Sequence, residues 1–172
     1  MSETDNWQNK VAILTGGSSG IGLATAYALA DQGAKVLITG RNAEKLNEVA
    51  NGNENIEPLQ IDSAAPDSGK RIVEAALDHW GRLDLLVNNS GAGQPMPMAA
   101  YDGGVVSNMS SVNIVAPSLL VKEAQSELKK TKGAIVNIST AVSRNAVPMM
   151  AHYAATKAAL EHLTQSWAIE LA

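Results

Sequence analysis

A phenol and an ammonium stand four residues apart in Tyr153-Ala-Ala-Thr-Lys157. On a helix that spacing puts both side chains on one face. A nearby cation favours the charged phenolate, which makes tyrosine a usable proton donor and acceptor. Such pairs are also common on ordinary helices, so the neighbours matter. Ser139 closes the apolar run that begins at Ala134, where its hydroxyl could bond a substrate oxygen beside the tyrosine. Asn113 falls inside a predicted helix, a position that asparagine does not favour.

A second kind of chemistry is written near the amino terminus. The apolar run Val11 to Leu14 ends in Thr15-Gly16-Gly17-Ser18-Ser19-Gly20-Ile21-Gly22, and an alanine-rich run follows to Ala30. Strand, tight turn and helix start are the arrangement that brings backbone N–H groups to a pyrophosphate. Glycine suits the turn because a Cβ would block the phosphate. The loop does not end in Gly-Lys-Ser/Thr, so a nucleotide-triphosphate loop of the Walker type is excluded. The candidate cofactor contacts here are Gly16, Ser18, Ser19, Gly20, Ile21 and Gly22.

These groups have to be positioned, and the rest of the chain shows how. Strands are predicted at 11–14, 35–39, 56–61, 83–88 and 134–139, and helices near 21–32, 42–50, 66–80, 109–131 and 151–172. Runs such as Leu85-Leu86-Val87 and Ala134-Ile135-Val136 are continuously apolar, which predicts burial on both faces. Alternating strands and helices give an α/β fold: a doubly wound parallel sheet of the Rossmann type, about five strands, one domain over 1–172. Its crossovers are right-handed. Ligands bind such sheets at the carboxyl ends of the strands, which singles out Thr15, Arg41, Asp62, Asn88 with Asn89, and Ser139. The longest predicted loop is 91–104. Its Met96 and Met98 could line an apolar pocket, although methionine more often packs.

An NAD site places an acid after the second strand, to accept from the ribose 2′-hydroxyl. Here Gly40-Arg41 stands there, and a guanidinium suits the 2′-phosphate of NADP. NADP(H) is therefore favoured over NAD(H). The remaining composition mostly excludes. Net charge is −4, with thirteen scattered Lys and Arg, so there is no footprint for nucleic acid. The densest cluster, Lys129, Lys130 and Lys132, falls at a predicted helix C-terminus, where it meets the helix dipole. Cysteine is absent and the three histidines are dispersed, so no metal site is expected. No apolar run approaches the ~20 residues of a membrane span, and the polar start has no signal-peptide pattern. A cytoplasmic protein is expected. Phenylalanine is absent, so the core must rest on Val, Ile, Leu, Ala and Met.

Taken together, these motifs resemble the short-chain dehydrogenase/reductase family along almost the whole chain. The glycine motif is Thr15 to Gly22, and the family's Asn-Asn-Ala-Gly appears as Asn88-Asn89-Ser90-Gly91. Its catalytic tetrad fits Asn113, Ser139, Tyr153 and Lys157 in order. Asp62 stands where the family's adenine-contacting aspartate is expected. The resemblance implies hydride transfer between NADP(H) and a small-molecule carbonyl or secondary alcohol. Tyr153 would move the proton, Lys157 would bind the nicotinamide ribose, and Ser139 would orient the substrate oxygen. Asn113 would hold a water linking Lys157 to solvent, and Asn88, Ser90 and Gly91 would join the cofactor site. A homodimer or homotetramer is implied through helices 109–131 and 151–172. The family normally continues past the final helix with another strand, a Pro-Gly turn and a substrate-covering segment. The sequence stops at Ala172, which would leave 134–139 as an apolar sheet edge through Ile135, Val136 and Ile138 and reads as a truncated fragment, a chain completed by a partner, or a shortened member. A non-catalytic dinucleotide-binding module is the alternative, and a purely structural interaction protein ranks last.

Overall fold

Successive strand residues point to opposite faces of a sheet, and the first strand displays this directly. Val11 and Ile13 enter one hydrophobic core, whereas Ala12 and Leu14 enter another. Both faces are buried, so all five residues of the strand are inaccessible. The structure is a computed structural model and describes residues 7–171. Its strands are β1 (Val11–Thr15), β2 (Lys35–Gly40), β3 (Ile56–Gln60), β4 (Leu85–Asn88) and β5 (Ala134–Asn137). Its helices are α1 (Gly20–Asp31), α2 (Ala43–Ala50), α3 (Ser68–Trp80), α4 (Gly103–Ser110), α5 (Ala116–Thr131) and α6 (Ala151–Glu170).

The strands form one parallel sheet in the order β3-β2-β1-β4-β5. The Rossmann-type arrangement is thus as expected. The order reverses between β1 and β4, so their carboxyl ends flank the switch point where such sheets bind ligands. Helices α3 and α5 cover one face through Ile72, Val73, Ala76, Leu120, Val121 and Ala124. Helices α1 and α2 cover the other through Ala26, Leu29, Ala30, Leu46 and Val49. Aliphatic side chains fill both cores, as the lack of phenylalanine requires.

Two expectations are corrected. The helix predicted to begin at residue 109 begins at Gly103. Asp102 caps it, accepting the N–H groups of Gly104 at 2.7 Å and Val105 at 3.2 Å. A capping carboxylate satisfies donors that would otherwise be orphaned, and this outweighs the poor helix propensity of two glycines. Residues 103–131 then form one helical stretch, long and apolar enough by those criteria to cross a bilayer. Its apolar stripe is instead packed against α3 and the sheet.

The second correction concerns the burial of β5: its apolar run predicts cover on both faces, while its expected place at the sheet edge is what the structure has. The strand is paired only with β4, and Ala134 and Val136 are exposed. Apolar sequence gives burial only where a neighbour supplies the cover.

The amino ends of the strands are tied by a charge cluster. Asp84 accepts the Val11 N–H at 2.9 Å and two bonds from Arg82, at 2.8 and 2.6 Å, with Lys10 at 3.4 Å. Burial opposes the charge on Asp84. The Arg82 bonds, the Val11 N–H and the two cations outweigh it and hold the carboxyl below its ordinary range.

Candidate active site at the carboxyl ends of the strands

The glycine turn is built by contact rather than by flexibility. Gly16 adopts φ +69°, and its N–H and that of Gly17 both bond the Thr39 carbonyl, at 2.9 and 3.1 Å. At Gly22 a Cβ would collide with the Gly16 carbonyl oxygen and the Asn89 amide, so glycine lets α1 descend onto the turn. Ser19 is the N-cap of α1, yet its side chain makes no capping bond, and no acid stands in the first turn. The positive end of α1 is therefore open to an anion at the switch point.

Thr15 joins the ends of β1 and β4. Its hydroxyl oxygen accepts the N–H groups of Asn89 and Ser90, both at 3.0 Å, while Asn89 Nδ2 donates to the carbonyls of Thr15 and Gly16. Asn88 turns away, donating to Asn137 Oδ1 at 2.7 Å; Asn137 in turn donates to Thr164 on α6. Asn88 thus braces β4 against β5.

One cleft of about 880 Å³ gathers most of the expected residues. Gly16, Ser18, Ser19, Ile21, Arg41, Asp62, Ser90, Gly91, Ser139, Tyr153 and Lys157 all line it. Gly20, Gly22, Asn88 and Asn113 are not part of its wall. Arg41 is exposed at the mouth and has no ion pair among the described residues. Asp62 is exposed too, its carboxylate accepting the Ala64 N–H at 3.0 Å. The apolar wall uses Val105, Met109, Val112 and Met150. Met96 instead is buried and accepts the Asp102 N–H on sulfur, and Met98 is exposed. A separate groove of about 570 Å³ between α5, β5 and α6 contains none of the expected residues.

Lys157 is 3% exposed. Burial pushes its ammonium below the ordinary lysine range. Its Nζ donates to the Ile138 carbonyl at 2.7 Å, and no carboxylate pairs with it among the described residues. Tyr153, one turn earlier on α6, is half-buried, and its hydroxyl makes no hydrogen bond among the described residues.

Asn113 lies in a π-helical turn, Ser111–Val115, between α4 and α5. Such turns often sit at functional sites because they re-aim a side chain. Asn113 is 1% exposed and its amide is almost fully committed. Oδ1 accepts the Ala92 N–H, and Nδ2 donates to the Ala92 carbonyl and to Thr156 on α6. A water there has only one Oδ1 lone pair or the main chain to use.

Ser139 is committed as well. Its hydroxyl donates to Glu161 at 2.7 Å, alongside Ser143 at 2.5 Å and Arg144 at 3.2 Å. The Ser143 bond, then the Ser139 bond, against slight burial and with help from Arg144, hold Glu161 down at about 2. Sequence reading did not single out Glu161, Thr156 or Thr140. Glu161 lies eight residues beyond Tyr153, a separation at which only the folded helix and the β5 loop bring it to Ser139.

Known proteins fit this geometry. Residues 10–172 match the short chain dehydrogenase family. A short-chain dehydrogenase/reductase FrzI from a Cladobotryum species is 37% identical over 168 residues, covering 95% of this chain and 65% of that protein. Among solved structures, the KRED1-Pglu enzyme superposes with a TM-score of 0.90 at 28% identity, covering 94% of this chain and 69% of that one. A metagenomic short-chain oxidoreductase in complex with NADP gives 0.89 at 35% identity, covering 96% and 78%. The chain thus spans about two thirds of the length of such relatives.

Proposed function

The chain belongs to the short-chain dehydrogenase family, and we propose that it binds NADP(H) and serves an oxidoreductase acting on a carbonyl or secondary alcohol. One observation supports this above the others. Among the described residues, a buried ammonium with no carboxylate partner and a phenol with no hydrogen bond share one helix face and one cleft with the uncapped start of α1. The residues fit a dinucleotide, with the α1 N-terminus for the pyrophosphate, Asp62 for the adenine end and Arg41 for a 2′-phosphate.

A bound nicotinamide supplies or removes hydride at the substrate carbon. The chain handles the proton. In reduction Tyr153 gives its hydroxyl proton to the carbonyl oxygen as C=O becomes CH–OH; in oxidation it takes that proton back. Lys157 would stabilise the phenolate left behind and would help hold the ribose of a bound dinucleotide. The role of Ser139 is narrowed by its bond to Glu161: with its one O–H already donating there, its oxygen can still accept a hydrogen bond but cannot donate a second. Thr140 follows in extended conformation, so its side chain points to the other side of the backbone. Its hydroxyl accepts weakly from Val142 N–H at 3.4 Å and keeps its own proton. Thr140 is not among the residues that line the cleft, so its free hydroxyl does not replace Ser139 as a donor to the substrate oxygen.

The test is a parallel titration with NADPH and NADH, followed by turnover of a generic diketone. Tighter NADPH binding, reduced roughly 10- to 100-fold by Arg41→Ala, is expected from loss of a charge-assisted bond. Equal affinities would remove the NADP preference but leave the family intact. The chain's partial span supports a second reading, a dinucleotide-binding part that does not catalyse by itself; binding without turnover would select it.

A further inference from the structure

Asn113 grips the loop after β4 by its backbone. Both bonds to Ala92, N–H to Oδ1 and Nδ2 to C=O, are 2.8 Å, and the gripping side chain is buried. Its third bond, to Thr156 at 2.9 Å, ties the same amide to the turn of α6 between Tyr153 and Lys157. One residue beyond the grip, Gly93 lies directly on Tyr153. A Cβ built on Gly93 would stand 2.6 Å from Cδ2 and 2.9 Å from Cε2 of the ring. Those atoms belong to a rigid aromatic ring, not to the end of a flexible chain. Gly93 does not have the positive φ of Gly16 or Gly20. Backbone conformation thus does not require glycine here, but the close approach does.

We propose that Gly93 is a positioning residue for Tyr153: lacking a side chain, it lets the loop held by Asn113 rest on the ring and fixes where the phenol hydroxyl stands. This rests on the proton-transfer role given to Tyr153 above. Because Ala92 is held from both of its peptide groups, the loop has little room to retreat. An added methyl group displaces the ring, and with it the hydroxyl. Proton transfer tolerates such displacement poorly, since a misplacement of about 1 Å can cost about 100-fold in rate.

The experiment is Gly93→Ala in the full chain, alone and combined with Tyr153→Phe. The single variant is expected to lose about 10- to 100-fold in kcat, with the NADPH Kd changed by less than about threefold. On the Tyr153→Phe background the same change should alter the residual rate by less than about twofold, because the displaced ring then carries no hydroxyl. An unchanged kcat, or an equal loss in both backgrounds, overturns the proposal. Crystal structures with and without the substitution read the displacement directly. A moved ring with the Asn113–Ala92 bonds intact supports the proposal, and a lifted loop over an unmoved ring overturns it. This arm needs no turnover, so an inactive parent chain counts against the oxidoreductase reading and leaves the ring position to decide this one. Should Gly93→Ala not fold, nuclear Overhauser contacts between Gly93 α protons and Tyr153 ring protons decide it in the parent chain. Their absence overturns it.

Discussion

At the amino ends of the strands, Asp84 is surrounded by Arg82, Lys10 and the Val11 N–H. At the carboxyl ends Lys157 is buried as deeply, yet it meets a carbonyl oxygen and, among the described residues, no carboxylate. The two charges stand at opposite ends of the same sheet, Asp84 just before β4 and Lys157 on α6. One is neutralised within the chain and joins β1 to β4. The other is desolvated without a counter-charge, which costs stability and leaves it free to act on a ligand. Buried charge is therefore not one kind of evidence: partners decide whether it reads as scaffold or as site.

Substitutions that separate rate from stability test this contrast. The largest effect belongs to Tyr153→Phe, expected to lower turnover roughly 10²- to 10⁴-fold at unchanged melting temperature. An unchanged rate would remove Tyr153 from the mechanism. Asp84→Ala should do the opposite. It destabilises by about 2–3 kcal/mol in denaturant titration, below the full cost of breaking a buried pair because Arg82 and Lys10 reach water. NADPH affinity should hold. If Asp84→Ala abolished binding while leaving stability intact, the two ends would not be separable in this way.

Lys157→Met sharpens the comparison from the other side. It should weaken NADPH binding and turnover while leaving stability equal or raised by up to about 1 kcal/mol, since a desolvated cation is removed. A marked fall in melting temperature would show that the ammonium also holds the fold. Asn113→Ala should cost about 1–3 kcal/mol, because the Ala92 N–H and C=O lose their partners. Hydrogen exchange at Ala92 would report the loosened loop.

The smallest expected effects are those of pH. Glu161 lies below its ordinary 4.5, at about 2, so the folded form binds fewer protons than the unfolded one across that interval. Its stabilisation is present above about 4.5 and is lost as pH falls towards 2. Asp84, also depressed, loses its share as pH falls below 3.8. Lys157 has the same sign of pH dependence, but at neutral pH its burial costs stability instead of contributing it. Its folded pKa lies below 10.5, so stability rises with pH as the buried ammonium loses its proton first in the folded state. Glu161→Gln should flatten the acid limb of the stability profile, and Lys157→Met the alkaline one.

Much of the site was legible because its signals are local. The glycine turn is a matter of dihedrals and missing Cβ atoms within eight residues. Tyr153 and Lys157 share a face through helical periodicity alone. The parallel sheet follows from alternation of short apolar runs with helical ones. Where the signal was local but mixed, it misled. Two glycines hid the start of α4 although Asp102, its cap, stood beside them. The apolar letters of β5 predict burial on both faces, although the place of 134–139 at a sheet edge is itself expected.

Sequence by itself determined which residue types gather at the carboxyl ends of the strands, since strand ends and helix starts are set by neighbours along the chain. Only tertiary structure decided what those residues do with their hydrogen bonds. Ser139 donates a hydrogen bond to Glu161, Asn113 commits its amide to Ala92 and Thr156, Asn88 turns to Asn137, and Lys157 finds no carboxylate among the described residues. Each of those partners except Ile138 lies more than 20 residues away, and both Glu161 and Ile138 are reached across the gap between β5 and α6. A donor's partner is chosen by distance in space, and packing of the sheet against its helices sets that distance.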